Sequence, residues 1–517
     1  MAFRHAVAKQ QPRIPAKQKR RTFRLTVIAV GVAVVVWIVF HRAHGTAMHL
    51  PPALGHHAAS DKDGTGDASG GTSEDWGGRD GGWGSEVVAG EEILAGGGGS
   101  AGEGALQSAG EEDFHESVEP GFPPPGDPPT DPTEHAEWEA IVKLARTSRD
   151  DMKKAIAKRG SDDCKKPRAI TGYLDLSANG KDEFLYFAHA SWKHITREPD
   201  ATSSIDLVVF GRSEATAWVD GVCAVLDVNK DLREQRKAIP DLHACLFIPY
   251  PQDEVVRMRF DYPYGNSFHF LFDDRVEPFF KERYGWILRS DWDVFYAPPL
   301  VQLCPDTYMT GVGGYTDFSM GNDDDPNTAQ RLAALAKHFG MRHAGIHNVG
   351  STWFGRTEEV LVLGRMTYAL MPHLLKYHFE QKDPSLGEGP LHLLDTIGWP
   401  RWYAGVTLLY AGELAANHLL DEFEKTGGMD ANSHDAVPVH EVFTIHCWWT
   451  GERFSKAGFF QHKYDDFDMD VEALDTSVAR DYCTEIALLA YRANTKIEAK
   501  REQALRKIVE QKSAVLA

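Results

Sequence analysis

Apolar and polar positions divide the chain into three stretches with different patterns. Residues 25–40 are apolar except for Thr26 and carry no charge, and a basic segment precedes them. Residues 41–135 contain runs of glycine, proline and acidic residues with few apolar positions. From 136 to 517 apolar positions recur in the short runs and periodic spacings of strands and helices. The pattern therefore predicts a membrane segment, a linker and one large folded domain.

The apolar run 25–40 is predicted to be a transmembrane signal anchor. It is slightly shorter than the roughly 20 residues that usually span a bilayer. Arg24 and Arg42 flank the run and can extend its reach to the lipid headgroups. A cleaved signal peptide is the alternative, because residues 43–45 offer a site with small residues at its two outer positions.

With a signal anchor, the basic tail 1–24 lies in the cytosol and the rest of the chain in the lumen or outside. The expectation is a single-pass type II protein of the Golgi or another secretory membrane. Residues 41–135 cannot bury enough apolar surface to offset the entropy of ordering, so they are predicted to be a disordered stem. About 380 residues remain, which suffices for one α/β domain with an ample core.

The folded part 136–517 is predicted to contain a mainly parallel sheet flanked by helices. Residues 205–211 are a β-branched run that ends in glycine, and 246–249 are a weaker candidate strand. Ser267 can cap an amphipathic helix that leads into a strand at 286–295. Strand, helix and strand in this order are typical of a parallel sheet. Further helices are predicted at 137–158, 328–339, 357–379 with a bend near Pro372, 405–420 and 476–512.

Charge and cysteine content exclude some classes of function. The net charge of −20 argues against nucleic-acid binding, which needs basic surfaces to neutralise phosphate. None of the six cysteines is in CxxC spacing, which argues against a zinc site. In an oxidising lumen one or more disulfides are expected, with a pairing that the sequence leaves open.

Two aspartates at the end of an apolar run are the main candidates for chemistry. Asp291 and Asp293 follow a predicted buried strand and precede another apolar stretch. Buried carboxylates are costly unless paired or metal-bound, and two of them at a strand end can hold Mg²⁺ or Mn²⁺. Acidic runs at 323–325 and 466–470 lie in polar surroundings, where solvated turns are the better interpretation. A purely structural role for the Asp291 pair is the alternative.

The anchor, the stem and the central Asp-x-Asp resemble a type II Golgi glycosyltransferase of the GT-A fold. The sequence is also similar to a family of GT-A-like, nucleotide-diphospho-sugar transferase-type proteins of algae, oomycetes and other microbial eukaryotes. This similarity extends from about residue 184 to 464, and the segments that carry it are 205–211, 289–298, 347–355, 403–418 and 445–464.

The resemblance implies roles for the positions that match the family's motifs. Asp291 and Asp293 would hold Mn²⁺ or Mg²⁺, with His446 as third ligand and His462 as second choice; a structural histidine is the alternative. The remaining implied contacts are Phe210 and Gly211 near the nucleotide base, Lys456 at the diphosphate, and Asn348 and Gly350 beneath the sugar.

The acceptor side is predicted from residue chemistry. Trp399, Trp402 and Tyr403 form an aromatic patch on which a sugar could stack, or they belong to the core. An inverting transferase needs a carboxylate base, for which Asp395 is the candidate. No GxSxG elbow between a strand and a helix and no HExxH motif point to the common hydrolases.

The predicted function is metal-dependent transfer of a sugar from a nucleotide-diphosphate donor to a glycan or glycoprotein acceptor. The alternative is a non-catalytic, membrane-anchored glycan-binding protein that retains the transferase fold.

Overall fold

The computed structural model describes residues 123–160, 163–197, 203–316, 326–381, 394–395, 402–448, 454–461, 463–464 and 473–496. The predicted tail 1–24, the anchor 25–40 and most of the stem 41–135 lie outside these residues, as do Trp399 and His462. Over the described ranges, no helix is both long enough and apolar enough to cross a membrane.

A mostly parallel eight-stranded sheet forms the centre of the fold, as predicted. The strands of this sheet are β1 (Arg168–Leu174), β2 (Ile205–Arg212), β3 (Ala224–Val225), β4 (Cys245–Tyr250), β5 (Trp286–Arg289), β7 (Met309–Val312), β8 (Val349–Arg356) and β11 (Glu424–Lys425). Their spatial order is β11-β7-β8-β5-β1-β2-β4-β3. Five neighbouring strands, β5-β1-β2-β4-β3, are mutually parallel, and only β8 runs antiparallel to its neighbours β5 and β7.

Both faces of this sheet are covered, which explains the continuous apolar runs of its central strands. In β2, Val208 and Phe210 belong to one apolar cluster, whereas Leu207 and Val209 belong to the other. Alternate side chains of a strand point to opposite faces, so a strand buried on both sides is apolar throughout. The predicted strands at 205–211 and 246–249 are therefore confirmed as β2 and β4.

Helices supply the two outer layers. The α-helices are α1 (Pro132–Ala157), α2 (Ala178–Asp182), α3 (His189–Ile195), α4 (Thr216–Val219), α5 (Leu232–Lys237), α6 (Asn266–His269), α7 (Glu277–Arg283), α8 (Thr328–His338), α9 (Thr357–Tyr377), α10 (Thr407–Leu419), α11 (Lys456–Phe460) and α12 (479–496). A π-helical turn, Glu183–Ala188, joins α2 to α3. Helix α1 begins at Pro132 because the Asp131 side chain accepts hydrogen bonds from the first-turn amides.

The single helix predicted after Ser267 is wrong. The chain forms α6, a 3-10 turn Phe270–Phe272, and then α7. The Asp273 side chain accepts a hydrogen bond from the Arg275 amide, and its carbonyl accepts one from Val276, so a turn interrupts the helix. Pro278 lies in the first turn of α7, where a missing amide proton costs nothing.

A small second sheet lies at the end of β5. The predicted strand 286–295 is in fact two strands, β5 and β6 (Val294–Tyr296), separated by the aspartate turn. Strand β6 pairs with β13 (Thr444–His446), which pairs with β12 (Ala431–Asn432). A separate pair joins β9 (Glu380–Gln381) to β10 (Leu394–Asp395). Disulfides link Cys164 to Cys304 and Cys223 to Cys245.

Candidate functional site

Strand β5 positions the two predicted aspartates at the carboxyl edge of the main sheet. The strand is buried along its length, and the Ser290 amide still donates to Thr171 of the neighbouring β1. The chain then turns through 290–293 before β6 begins. Ligand sites of parallel α/β sheets form at this edge. Asp291 and Asp293 were predicted to follow a buried strand, and in the structure they lie directly after β5 at this edge.

Asp293 lies against two cationic side chains from distant parts of the chain. Its Oδ2 atom is 3.1 Å from Nε2 of His446 and 2.8 Å from Nζ of Lys456. Burial opposes ionisation of Asp293, but the charges of Lys456 and His446 outweigh it and hold its pKa far below the ordinary value. Asp293 is thus ionised in this setting.

Backbone pairing brings His446 to Asp293. In the small sheet His446 is opposite Val294, and the Cys447 amide donates to the Asp293 carbonyl at 2.7 Å. Burial lowers the pKa of His446, but the carboxylates of Asp293, Asp430 and Asp291 raise it to about 9. His446 was expected to lie close to Asp293, and it does. The pairing of β13 with β6 brings the two residues together.

Lys456 connects Asp293 to a carboxylate that was not predicted. Its Nζ atom is 2.7 Å from Oε1 of Glu183, the first residue of the π-helical turn. Burial, with the Asp293 charge as a smaller contribution, raises the pKa of Glu183 to about 7 against the opposing charge of Lys456. The sequence signal was weak, since Glu183 is one acidic residue before the apolar run 184–188.

Asp291 has a different partner. Its Oδ1 atom accepts a hydrogen bond from Nη2 of the buried Arg289 at 2.8 Å, and Nη1 of Arg289 donates to the Ser351 carbonyl. The Asp291 side chain is partly exposed. The two aspartates of the motif are therefore not equivalent, because Asp293 is held by His446 and Lys456 and Asp291 by an arginine of the same strand.

Asp430 is the second carboxylate that sequence reasoning missed. Its Oδ1 accepts from the Thr352 hydroxyl at 2.7 Å, and its Oδ2 lies directly over Gly311 and Gly350. A side chain at either glycine would collide with this oxygen. Burial, with the charges of Asp291 and Asp293, raises the pKa of Asp430 to about 7. Gly350 was expected to make room for substrate, and in the structure it makes room for Asp430.

These side chains form one group, which we call the acidic centre. It consists of Glu183, Asp291, Asp293, Asp430, His446 and Lys456. Four of them were singled out from the sequence. Glu183 and Asp430 were not, because no motif connects either of them to Asp291 and Asp293, which are more than a hundred positions away.

Phe210 and Asn348, which were predicted to contact the nucleotide and the sugar, have roles in packing and loop geometry. Phe210 is fully buried, and its ring packs near Tyr250, Phe270 and Phe280. Asn348 has a positive φ of 60°, and its Oδ1 accepts from the Thr316 amide at 2.8 Å. Asn348 therefore holds the loop before β8.

Gly211 ends the apolar part of β2 and pairs with Leu174 of β1, near the edge where Asp291 lies. A side chain there would collide with Phe247.

Of the predicted aromatic acceptor patch, Trp402 is part of the core. Trp402 is buried, stacks on Tyr410 with ring centroids 4.5 Å apart, and donates its indole N–H to the His378 carbonyl. The amide of the half-buried Tyr403 donates to the Tyr410 hydroxyl. For Asp395 the structure describes only the backbone, which pairs with Glu380. The core alternative for Trp402 is therefore the one the structure supports.

Exposed apolar side chains instead border the acidic centre. Trp448 is two residues after His446 and 46% exposed, and its carbonyl accepts a hydrogen bond from the Lys456 amide. Tyr264 is 37% exposed and lies within electrostatic reach of Asp291 and Asp293. An exposed tryptophan near polar groups is available for stacking with a ligand.

Fold and centre together define a class of protein. It is a mostly parallel α/β protein with a carboxylate-rich centre at the carboxyl edge of a central strand. The chain belongs to the family described as a domain of unknown function, DUF7164, whose model matches residues 164–514. This match includes every strand of the fold and the whole acidic centre. No curated protein matches the chain.

Proposed function

We propose that this protein is a metal-dependent glycosyltransferase of the GT-A type that uses a nucleotide-diphospho-sugar donor. The observation that carries the proposal is the convergence of His446 and Lys456 on Asp293 at the carboxyl edge of β5. Metal ligands beside a lysine form a site that suits a diphosphate, and the carboxyl edge is where ligands bind in parallel sheets.

The donor atoms fit a Mn²⁺ or Mg²⁺ ion. Carboxylate oxygens from Asp291 and Asp293 suit a hard divalent cation. His446 would lose its proton on binding the ion, and its imidazole nitrogen would shift the preference toward Mn²⁺. When bound, such an ion would neutralise negative charge on the diphosphate leaving group. Asp430, within electrostatic reach of His446, is a further carboxylate for this site.

Lys456 is the residue proposed to contact the diphosphate. It is largely buried between Asp293 and Glu183, which keep it charged. Lys456 is the first residue of α11 and follows the capping residue Ser455, so the position of its Cα and Cβ atoms is fixed by the helix. The protein would thereby present a positive charge beside its metal ligands without a change in backbone conformation.

The acceptor is proposed to be a glycan or glycoprotein. Trp448 supports this because its exposed ring is close in sequence and space to the centre. Asp395 remains the predicted acceptor base. The proposed location is a secretory membrane such as the Golgi, with the anchor at 25–40. The two disulfides support an oxidising compartment.

A non-catalytic glycan-binding protein is the second candidate function. One observation favours it, namely that both His446 and Lys456 already contact the same Asp293 oxygen. If that ion pair were permanent, Asp293 would be a structural residue, and Trp448 and Tyr264 would remain as glycan contacts.

Calorimetric titration of residues 123–517 with UDP and with GDP, with and without Mn²⁺, distinguishes these functions. The transferase proposal expects Mn²⁺-dependent binding of one nucleotide that Asp293→Asn weakens at least about a hundredfold. Asp241→Asn is the matched control, because Asp241 is an exposed carboxylate that precedes β4, at the amino edge of the sheet. If neither nucleotide binds, or if Asp293→Asn binds like Asp241→Asn, the proposal fails.

A further inference from the structure

A second group of metal-ligand side chains lies outside the acidic centre. His343 and His347 are in the loop between α8 and β8, and Glu413 is in the middle of α10. Their side chains are 7%, 15% and 0% exposed. The function proposed above uses none of the three, so their burial in one place requires a separate explanation.

The three side chains converge on one point. Oε1 of Glu413 is 2.6 Å from Nδ1 of His347 and 3.3 Å from Nε2 of His343. Among the described residues, Nε2 of His343 has no hydrogen-bond partner although it is buried. Its 3.3 Å approach to Glu413 lacks the geometry of a hydrogen bond. Two ligands of a tetrahedral zinc ion with bonds of 2.0–2.1 Å would be about 3.3 Å apart.

The charge of Glu413 also calls for a cation. Its other oxygen, Oε2, accepts hydrogen bonds from the Tyr315 hydroxyl at 2.6 Å and the Asn348 amide at 2.8 Å. These donors are neutral, and no lysine or arginine in the described ranges forms an ion pair with Glu413. A buried carboxylate without a cation is costly, so a positive charge is expected on the histidine side.

We propose that His343, His347 and Glu413 bind a divalent transition metal of the Zn²⁺ class. Two imidazoles and one carboxylate are a known zinc ligand set, with the fourth position left to solvent. Ala344 and Gly345 between the histidines are exposed, so water can reach this position. The bound ion fixes the loop that leads into β8, and thereby the backbone at Asn348. This site does not depend on the proposed transferase function.

One hydrogen bond defines the alternative. The Gly345 amide donates to Nδ1 of His343 at 3.1 Å, which leaves the proton of the neutral ring on Nε2. Metal binding through Nε2 requires this amide to turn away and the proton to move to Nδ1. Gly345 is exposed and has a positive φ of 78°, and no atom lies near the position of a side chain there. Without a metal, the cluster would be a hydrogen-bonded support for the loop.

Metal content of the purified full-length protein tests the proposal. The protein is first stripped of metal with a chelator and then dialysed against Zn²⁺. Inductively coupled plasma mass spectrometry should then find about one bound Zn²⁺ per chain in the Asp293→Asn variant, in which the acidic centre is disrupted. His343→Ala and Glu413→Gln should each weaken Zn²⁺ binding at least about a hundredfold. Co²⁺ in place of Zn²⁺ should give the intense visible absorption of a tetrahedral site. His440→Ala is the control, because His440 is 79% exposed.

The outcomes separate the two explanations. Retention of Zn²⁺ by Asp293→Asn and its loss in His343→Ala, with circular dichroism unchanged, supports the site. Absence of Zn²⁺ and Co²⁺ binding in the wild type overturns it, as does binding by His343→Ala equal to that of His440→Ala. If Glu413→Gln does not fold, His343→Ala decides, because it removes a ligand from the loop and leaves the interior carboxylate and its Tyr315 contact in place.

Discussion

Replacement of Lys456 by methionine removes the cation shared by two carboxylates of the acidic centre. Lys456 Nζ is 2.8 Å from Asp293 and 2.7 Å from Glu183, and all three side chains are at least 85% buried. Methionine keeps most of the side-chain volume, so the loss is mainly electrostatic. Breaking a buried ion pair from one side costs about 3 kcal/mol. For a domain of roughly 390 residues, this lowers Tm by about 4 °C.

Urea unfolding at pH 8, followed by tryptophan fluorescence, measures this loss. Lys281→Met is the control, because Lys281 is 43% exposed and its partner Glu277 keeps an ion pair with Arg365, so the loss should be less than about 1 kcal/mol. In the double variant Glu183→Gln/Lys456→Met, part of the loss should be recovered, since one unpaired carboxylate is gone. Mn²⁺ should stabilise Lys456→Met more than the wild type, because the ion supplies the missing positive charge.

Two results would refute this reasoning. If Lys456→Met is no less stable than Lys281→Met, the pair with Asp293 and Glu183 is not a buried interaction. If Mn²⁺ stabilises neither protein, the carboxylates do not form a cation site, and the proposed function loses its metal.

Three further predictions concern other parts of the fold. Gly350→Ala should destabilise the protein by about 1–3 kcal/mol in urea unfolding, because the added methyl group collides with Asp430, whereas Gly427→Ala meets no atom and should be neutral. Trp448→Ala should raise the acceptor KM about tenfold without a change in Tm, and an equal effect of a substitution at the exposed Leu489 would contradict a specific contact. Burial and nearby arginines lower the pKa of His418 to about 4. As pH falls below 6.5, the unfolded chain takes up a proton on this histidine before the folded protein does, so the folded state becomes less stable. Between pH 7 and pH 5 the free energy of unfolding of the wild type should therefore fall by about 2 kcal/mol more than that of His418→Gln.

Much of the fold could be predicted because its signals are local. A continuous apolar run such as 205–211 indicates a strand buried on both faces, and that is the environment of β2. The helices α8, α9 and α10 begin and end within about two residues of the predicted limits. The helix after Ser267 was mispredicted because its apolar spacing continues across the turn at Asp273. Short-range hydrogen bonds, which periodicity does not encode, interrupt it there.

At the site, the sequence by itself determined which residue types were available and identified Asp291, Asp293, His446 and Lys456. Only the tertiary structure decided which carboxylates join them. Asp430 reaches the centre through the pairing of β12 with β13, and Glu183 through the packing of a π-helical turn. Phe210 was assigned to the nucleotide by the family resemblance, and Trp402 to the acceptor because aromatic residues serve both binding and packing. Their burial depends on neighbours from other elements, and contacts between distant segments are absent from a linear pattern.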